Sequence, residues 1–179
     1  MSARTAVLAL RHLPVSFVSL YAYINPVIAS IKPFWIGGYR HALGGYAGKE
    51  FARGHDVNIR GEMDYNFLNE VLKGWVQASY LYYPKKFARL QVKYGNTYSM
   101  INTYENLFAS FGGGNYVNER FYGIGHEYEL TNGLFFDAEV EYAERTPLGD
   151  IILSEWSQDL FGEYNEPVDF DPYDEFLLY

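Results

Sequence analysis

The sequence predicts an all-β fold, an antiparallel meander of about 6–8 long strands that forms part of a transmembrane β-barrel. Three observations lead there. Apolar and polar residues alternate with a period of two over several long segments, a pattern that a helix would scatter around its axis. The composition is aromatic (18 Tyr, 13 Phe and 3 Trp) and includes 17 Gly, which suits pleated strands and tight bends better than helices. Tight turns alternate with longer connections, as the two rims of an outer-membrane barrel do.

Size and charge narrow the field. The 179 residues make one domain of ordinary size. With 14 Lys plus Arg against 22 Asp plus Glu, the chain carries a formal charge of −8, so no nucleic-acid partner is expected. The absence of cysteine excludes disulfides, thiolate zinc sites, Fe–S ligation and Cys nucleophiles.

Residues 1–33 form an atypical N-terminal segment. Its charged side chains are Arg4, Arg11 and Lys32, and residues 12–31 are uncharged over a length that suits a membrane helix or an export signal. Pro14, Asn25 and Pro26 disfavour the helix, and Arg11 interrupts the apolar core of a signal. Residues 15–23 read equally well as a strand remnant.

Residues 34–179 are assigned to a partial outer-membrane β-barrel. Residues 39–51 form a glycine-laced strand, and Val57, Ile59, Gly61, Met63, Tyr65 and Phe67 then alternate with Asn58, Arg60, Glu62, Asp64 and Asn66. Over residues 72–83, Val76, Ala78, Tyr80 and Tyr82 oppose Lys73, Gln77 and Ser79. Leu90, Val92 and Tyr94 alternate with Arg89, Gln91 and Lys93. Tyr122, Ile124, His126 and Tyr128 alternate with Gly123, Gly125, Glu127 and Glu129, and Phe136, Ala138, Val140 and Tyr142 with Asp137, Glu139 and Glu141. A further strand begins near Tyr173 and is still in pattern at Tyr179. Residues 52–55, 84–86 and 131–133 are the tight turns, residues 68–71 a short link, and residues 100–120 and 146–173 the long loops.

Period alone does not say which face meets water. A soluble sheet buries its apolar face, whereas a membrane barrel turns it to lipid. The strands run about 10–13 residues, enough to cross a bilayer when tilted. Their apolar faces end in tyrosines (Tyr80 and Tyr82, Tyr94 and Tyr98, Tyr122 and Tyr128, Tyr142), in the manner of an aromatic girdle. The alternative is a soluble β-barrel or sandwich.

Several ordered motifs resemble a known family. They are Ile36-Gly37-Gly38-Tyr39-Arg40-His41, Gly61-Glu62-Met63-Asp64-Tyr65, Tyr82-Tyr83-Pro84-Lys85-Lys86-Phe87, Tyr142-Ala143-Glu144-Arg145-Thr146-Pro147-Leu148 and Asn165-Glu166-Pro167-Val168-Asp169-Phe170. Together they resemble a Bacteroidota family of outer-membrane proteins whose members carry an N-terminal carboxypeptidase-regulatory-like domain before a β-barrel of unknown function. The regulatory-like domain and the first strands expected from that resemblance are missing here, so the chain reads as a C-terminal-half fragment of the barrel. The resemblance brings no catalytic residues.

Glu127, Glu129, Asp137, Glu139 and Glu141 share one face of a single hairpin, which suggests a divalent-cation site or an acid/base pair. The plainer reading is a charged lumen wall made with Arg60, Glu62, Arg89 and Lys93, and with Arg120 as a further balancing cation. His41, His55 and His126 lack ligand spacing, so neither a metal nor a cofactor is expected. Trp156, Phe161 and Tyr164 in the last long loop could stack on a sugar or peptide.

The expectation is a non-catalytic protein of the cell outer membrane with a pore, transport or envelope-assembly role. Its partners would be the lipid bilayer and other envelope proteins or remaining barrel segments. A soluble carbohydrate-binding β-protein is the alternative, and a membrane-embedded hydrolase using lumen carboxylates is a third reading.

Overall fold

The computed structural model describes residues 20–25, 31–32, 38–101, 116–153, 155, 159 and 167–179. They form one antiparallel sheet of nine strands: β1 (Leu20–Ile24), β2 (Ile31–Lys32), β3 (Arg40–Glu50), β4 (Asp56–Asn66), β5 (Val71–Tyr83), β6 (Ala88–Met100), β7 (Tyr116–Thr131), β8 (Leu134–Thr146) and β9 (Tyr173–Leu178). The order is β1-β3-β4-β5-β6-β7-β8-β9, and β2 pairs with the β3 edge beside β1. Every strand from β3 onward lies next to its sequence neighbour, so the sheet is an antiparallel meander. Among the described residues the β1/β2 edge and the β9 edge do not meet, so the sheet is open.

Six strands, β3 to β8, span 11 to 16 residues, and β1, β2 and β9 are shorter. Of the strand expected over residues 15–23, residues 20–23 belong to β1, and residues 15–19 lie outside the described residues. β7 begins at Tyr116, inside the segment expected to be loop up to residue 120. Tyr116 and Val117 are adjacent and both buried, so the strand starts without the alternation that marks its later part.

Turn chemistry fixes the register. Pro84–Lys86 make a 3-10 turn closed by Phe87 in the left-handed region (φ 47°), whose N–H donates to the Pro84 carbonyl at 3.2 Å. Gly133 adopts φ 80° between β7 and β8, and its N–H donates to Glu129 Oε1 at 2.9 Å. After β4, Asn66 Oδ1 accepts from the N–H groups of Leu68 and Asn69 at 3.0 and 3.1 Å, an Asx turn that reverses the chain.

The packed apolar cluster lies at one end of the sheet, not across it. Tyr116 and Leu148 are buried together, with Tyr98, Met100 and Ile151 against them. The chain after β8 is drawn back to this end: Asn118 Nδ2 donates to the Pro147 carbonyl at 2.9 Å, and Asn69 exchanges two hydrogen bonds with the Ile152 backbone. Leu148→Ala is expected to cost about 2–4 kcal/mol through the cavity it leaves. A urea midpoint unchanged from the parent would show that this cluster contributes nothing. Among the described residues no helix is long and apolar enough to cross a membrane.

Candidate functional site

Register places each strand's alternating residues on two continuous faces. Ala47, Ile59, Ala78, Val92, Ile124, Val140 and Leu178 stand side by side from β3 to β9. One step along, Tyr94, Tyr122, Tyr142 and Phe176 form a cross-strand row with ring centroids 5.1, 6.3 and 5.1 Å apart. Toward the tight turns a second group gathers, with Tyr82 stacked on His126 at 5.9 Å and His126 on Tyr128 at 6.4 Å. Beyond the first row the same face turns polar, with Arg120 paired to Glu144 at 3.5 Å.

This apolar face is uncovered. Ile59, Val76, Val92, Ile124 and Val140 are 43–53 % exposed in mid-strand. No second layer lies over them among the described residues, whereas a soluble two-layer protein would bury this surface.

The opposite face holds the ionic groups. Lys93 Nζ on β6 forms ion pairs with Glu139 and Glu141 on β8, two strands away. It reaches them because Gly123, its register partner on the intervening β7, has no side chain, and the Lys93 stem lies where a Gly123 Cβ would stand. The same device recurs beside it, where the Phe121 ring lies over Gly95. Near the β8 end, Arg145 pairs with Glu119 at 2.8 Å and Glu175 at 2.9 Å. Buried Arg40 pairs with Asp64, and Lys73 Nζ donates to Asn96 and Asn118 at 2.7 and 3.0 Å.

The predicted charged residues therefore share a face but do not form one cluster. Arg60 Nε and Nη2 donate to Gln77 Oε1 at 3.2 and 2.8 Å, and Glu62 lies beside Gly44. Arg89 pairs with Asp56 at 3.4 Å, although Glu127 is its register partner. Glu129 is engaged by the turn at Gly133, and Asp137 stands exposed near that turn. Only Glu139 and Glu141 converge, and they do so on an ammonium. Among the described residues no three His, Cys, Asp or Glu side chains are placed to hold a metal ion.

Two expectations are corrected. Arg120 stands apart from the Lys93 group: it is opposite Asn96 and Glu144, in step with Tyr122 rather than with Gly123, and lines a small hollow with Lys73, Asn96 and Asn118. Tyr98 does not extend the row of Tyr94. It is half-buried with the Arg40 guanidinium at 4.8 Å and the Lys73 ammonium at 4.9 Å from its ring centre, where cations favour an aromatic face. Trp156, Phe161 and Tyr164 lie outside the described residues.

Sequence reasoning missed a concavity of about 720 Å³ on the polar face of β1, β3, β4, β5 and β6. Tyr21, Tyr23, Tyr46 and Trp75 supply its rings. Tyr23 stacks on Tyr46 at 5.5 Å, and Tyr21 meets Tyr46 edge-on at 5.9 Å. A signal was available: Trp75 alternates in step with Lys73, Gln77 and Ser79, which puts its ring on the polar side.

The family model described as "Family of unknown function (DUF5686) C-terminal domain" matches residues 13–175, and the chain belongs to this family. Comparison with curated proteins and with solved structures gives no match.

Proposed function

We infer that this DUF5686 C-terminal domain is part of an outer-membrane β-barrel of Bacteroidota, non-catalytic, with a pore, transport or envelope-assembly role. The observation that carries the reading is the uncovered apolar face, bordered by aromatic rows and backed by a face of ion pairs. Soluble monomers seldom expose a contiguous apolar patch of more than a few hundred Å². In a bilayer the same surface is the favourable one, because lipid covers it and the ionic groups line the water-filled side. Ten residue steps along β4, from Asp56 to Asn66, span about 34 Å, or about 26 Å in height at a tilt near 40°. That height matches the apolar band of an outer-membrane barrel, about 25 Å tall. The bilayer is then the first partner, and other envelope proteins or further barrel segments meet the open edges. The soluble carbohydrate-binding alternative would need a second layer over Ile59, Val92 and Ile124.

The test is purification with and without detergent, followed by electrophoresis in dodecyl sulfate of unheated and boiled samples. A folded barrel is expected to require detergent and to change mobility on boiling. A water-soluble monomer whose mobility ignores boiling contradicts the reading.

A further inference from the structure

We propose that the concavity on the polar face is a binding site for the pyranose rings of an uncharged oligosaccharide. The proposal rests on the barrel reading, since it names what the water-filled side of that barrel holds. Its two halves differ in chemistry. From β6 to β8 the polar face is built from ion pairs around Lys93, which consume one another's charge. From β1 to β6 it carries aromatic rings interleaved with amides beside Arg60, Glu62 and Arg89. Tyr46 in the middle of this patch is 48 % exposed, an aromatic ring left bare on a polar wall.

The arrangement fits a sugar better than other ligands. Tyr23 and Tyr46 form one stacked platform, and Trp75 forms a second with the Arg60 guanidinium 5.8 Å from its ring centre. Ring faces suit the C–H face of a pyranose, because they are apolar surfaces that need not be fully dry. Between the platforms runs a chain of side-chain hydrogen bonds: Arg60 to Gln77, Gln77 to Gln91, and Tyr21 to Asn58. Each side-chain amide offers both a donor and an acceptor, the pairing that adjacent hydroxyls require. An anionic ligand is disfavoured because Glu62 lines the concavity beside Arg60, and the nearby Arg89 is already paired with Asp56. The volume lies within the ~300–1,000 Å³ of small-molecule sites. The four strand spacings from β1 to β6 cover about 19 Å, which favours several linked rings over a single sugar.

Trp75 itself reports occupancy. In the full chain, purified in detergent and carrying Trp35→Phe and Trp156→Phe, the remaining indole is titrated with maltohexaose, xylohexaose and chitohexaose. Polyethylene glycol of equal mass is the control. A saturable change in Trp75 emission is expected with at least one hexasaccharide and not with the glycol, and Tyr46→Ala and Gln77→Leu should each weaken it at least tenfold. Tyr46 belongs to one platform and Gln77 to the hydrogen-bonded chain between the two, and boiling-dependent mobility verifies that each variant is folded. No saturable change with any of the three sugars overturns the proposal, as does equal affinity in the folded variants. A boiling-sensitive barrel without a sugar response overturns the site and leaves the barrel standing. Sugar binding by a water-soluble, boiling-insensitive protein overturns the barrel and leaves the site standing.

Discussion

Ile124→Arg is expected to abolish or sharply reduce assembly of the folded protein in a bilayer, at a cost of about 2–4 kcal/mol. Ile124 stands between Val92 and Val140 near the middle of the apolar face, 53 % exposed, with no polar partner for a guanidinium within the row. Val92→Arg and Val140→Arg should behave alike, and any two together, at about 4–8 kcal/mol, should remove a large fraction of a typical domain's stability margin. Gln91→Arg, one residue from Val92 but on the polar face, should assemble normally. The comparison is read as the boiling-sensitive fraction after refolding into vesicles. In a soluble protein with this surface in water, Ile124→Arg would leave folding intact and improve solubility, so normal yields of all three arginine variants would contradict the assignment of the face.

Lys93→Met gives the second large effect. Lys93 is 24 % exposed and holds two carboxylates, of which Glu141 is 10 % exposed, so its loss leaves two close negative charges with no cation between them. Removing one side of such a group costs about 3 kcal/mol, the lower end of the range for buried pairs because water still reaches part of it. The triple change Lys93→Met, Glu139→Gln, Glu141→Gln should recover most of that loss, since the uncompensated charge goes with the lysine. Gly123→Val should reproduce the single lysine variant, because a side chain there occupies the path of the Lys93 stem across β7. Urea unfolding midpoints in detergent decide this. A Gly123→Val midpoint equal to the parent's would show that Lys93 does not need the glycine slot.

Much of the fold was legible because period two is a local signal. Val57 to Phe67 display it without interruption, and the structure keeps both faces of β4 as the spacing predicts. The turns were legible for the same reason: Pro84 and Gly133 announce them in one or two residues. What escaped was the information that lies between strands. The link from Lys93 to Glu139 and Glu141 depends on register across β7 and on an empty Gly123, neither of which can be read along one strand. The aromatic concavity was hidden because Tyr21, Tyr23, Tyr46 and Trp75 come from three separate strands and converge only after β1 pairs with β3 and β3 joins β5 through β4.

The absence of cysteine makes the central claim directly measurable, since any cysteine introduced into this chain is the sole thiol. Single cysteines at 91, 92, 124, 125, 139 and 140, in protein reconstituted into vesicles, can be challenged with a membrane-impermeant maleimide and with a lipid-soluble one. Two opposed faces predict a period-two result: positions 92, 124 and 140 react only with the lipid-soluble reagent, and positions 91, 125 and 139 react with the water-soluble one. Equal reaction of Ile124→Cys and Gly125→Cys with the impermeant reagent would contradict a lipid-facing apolar surface.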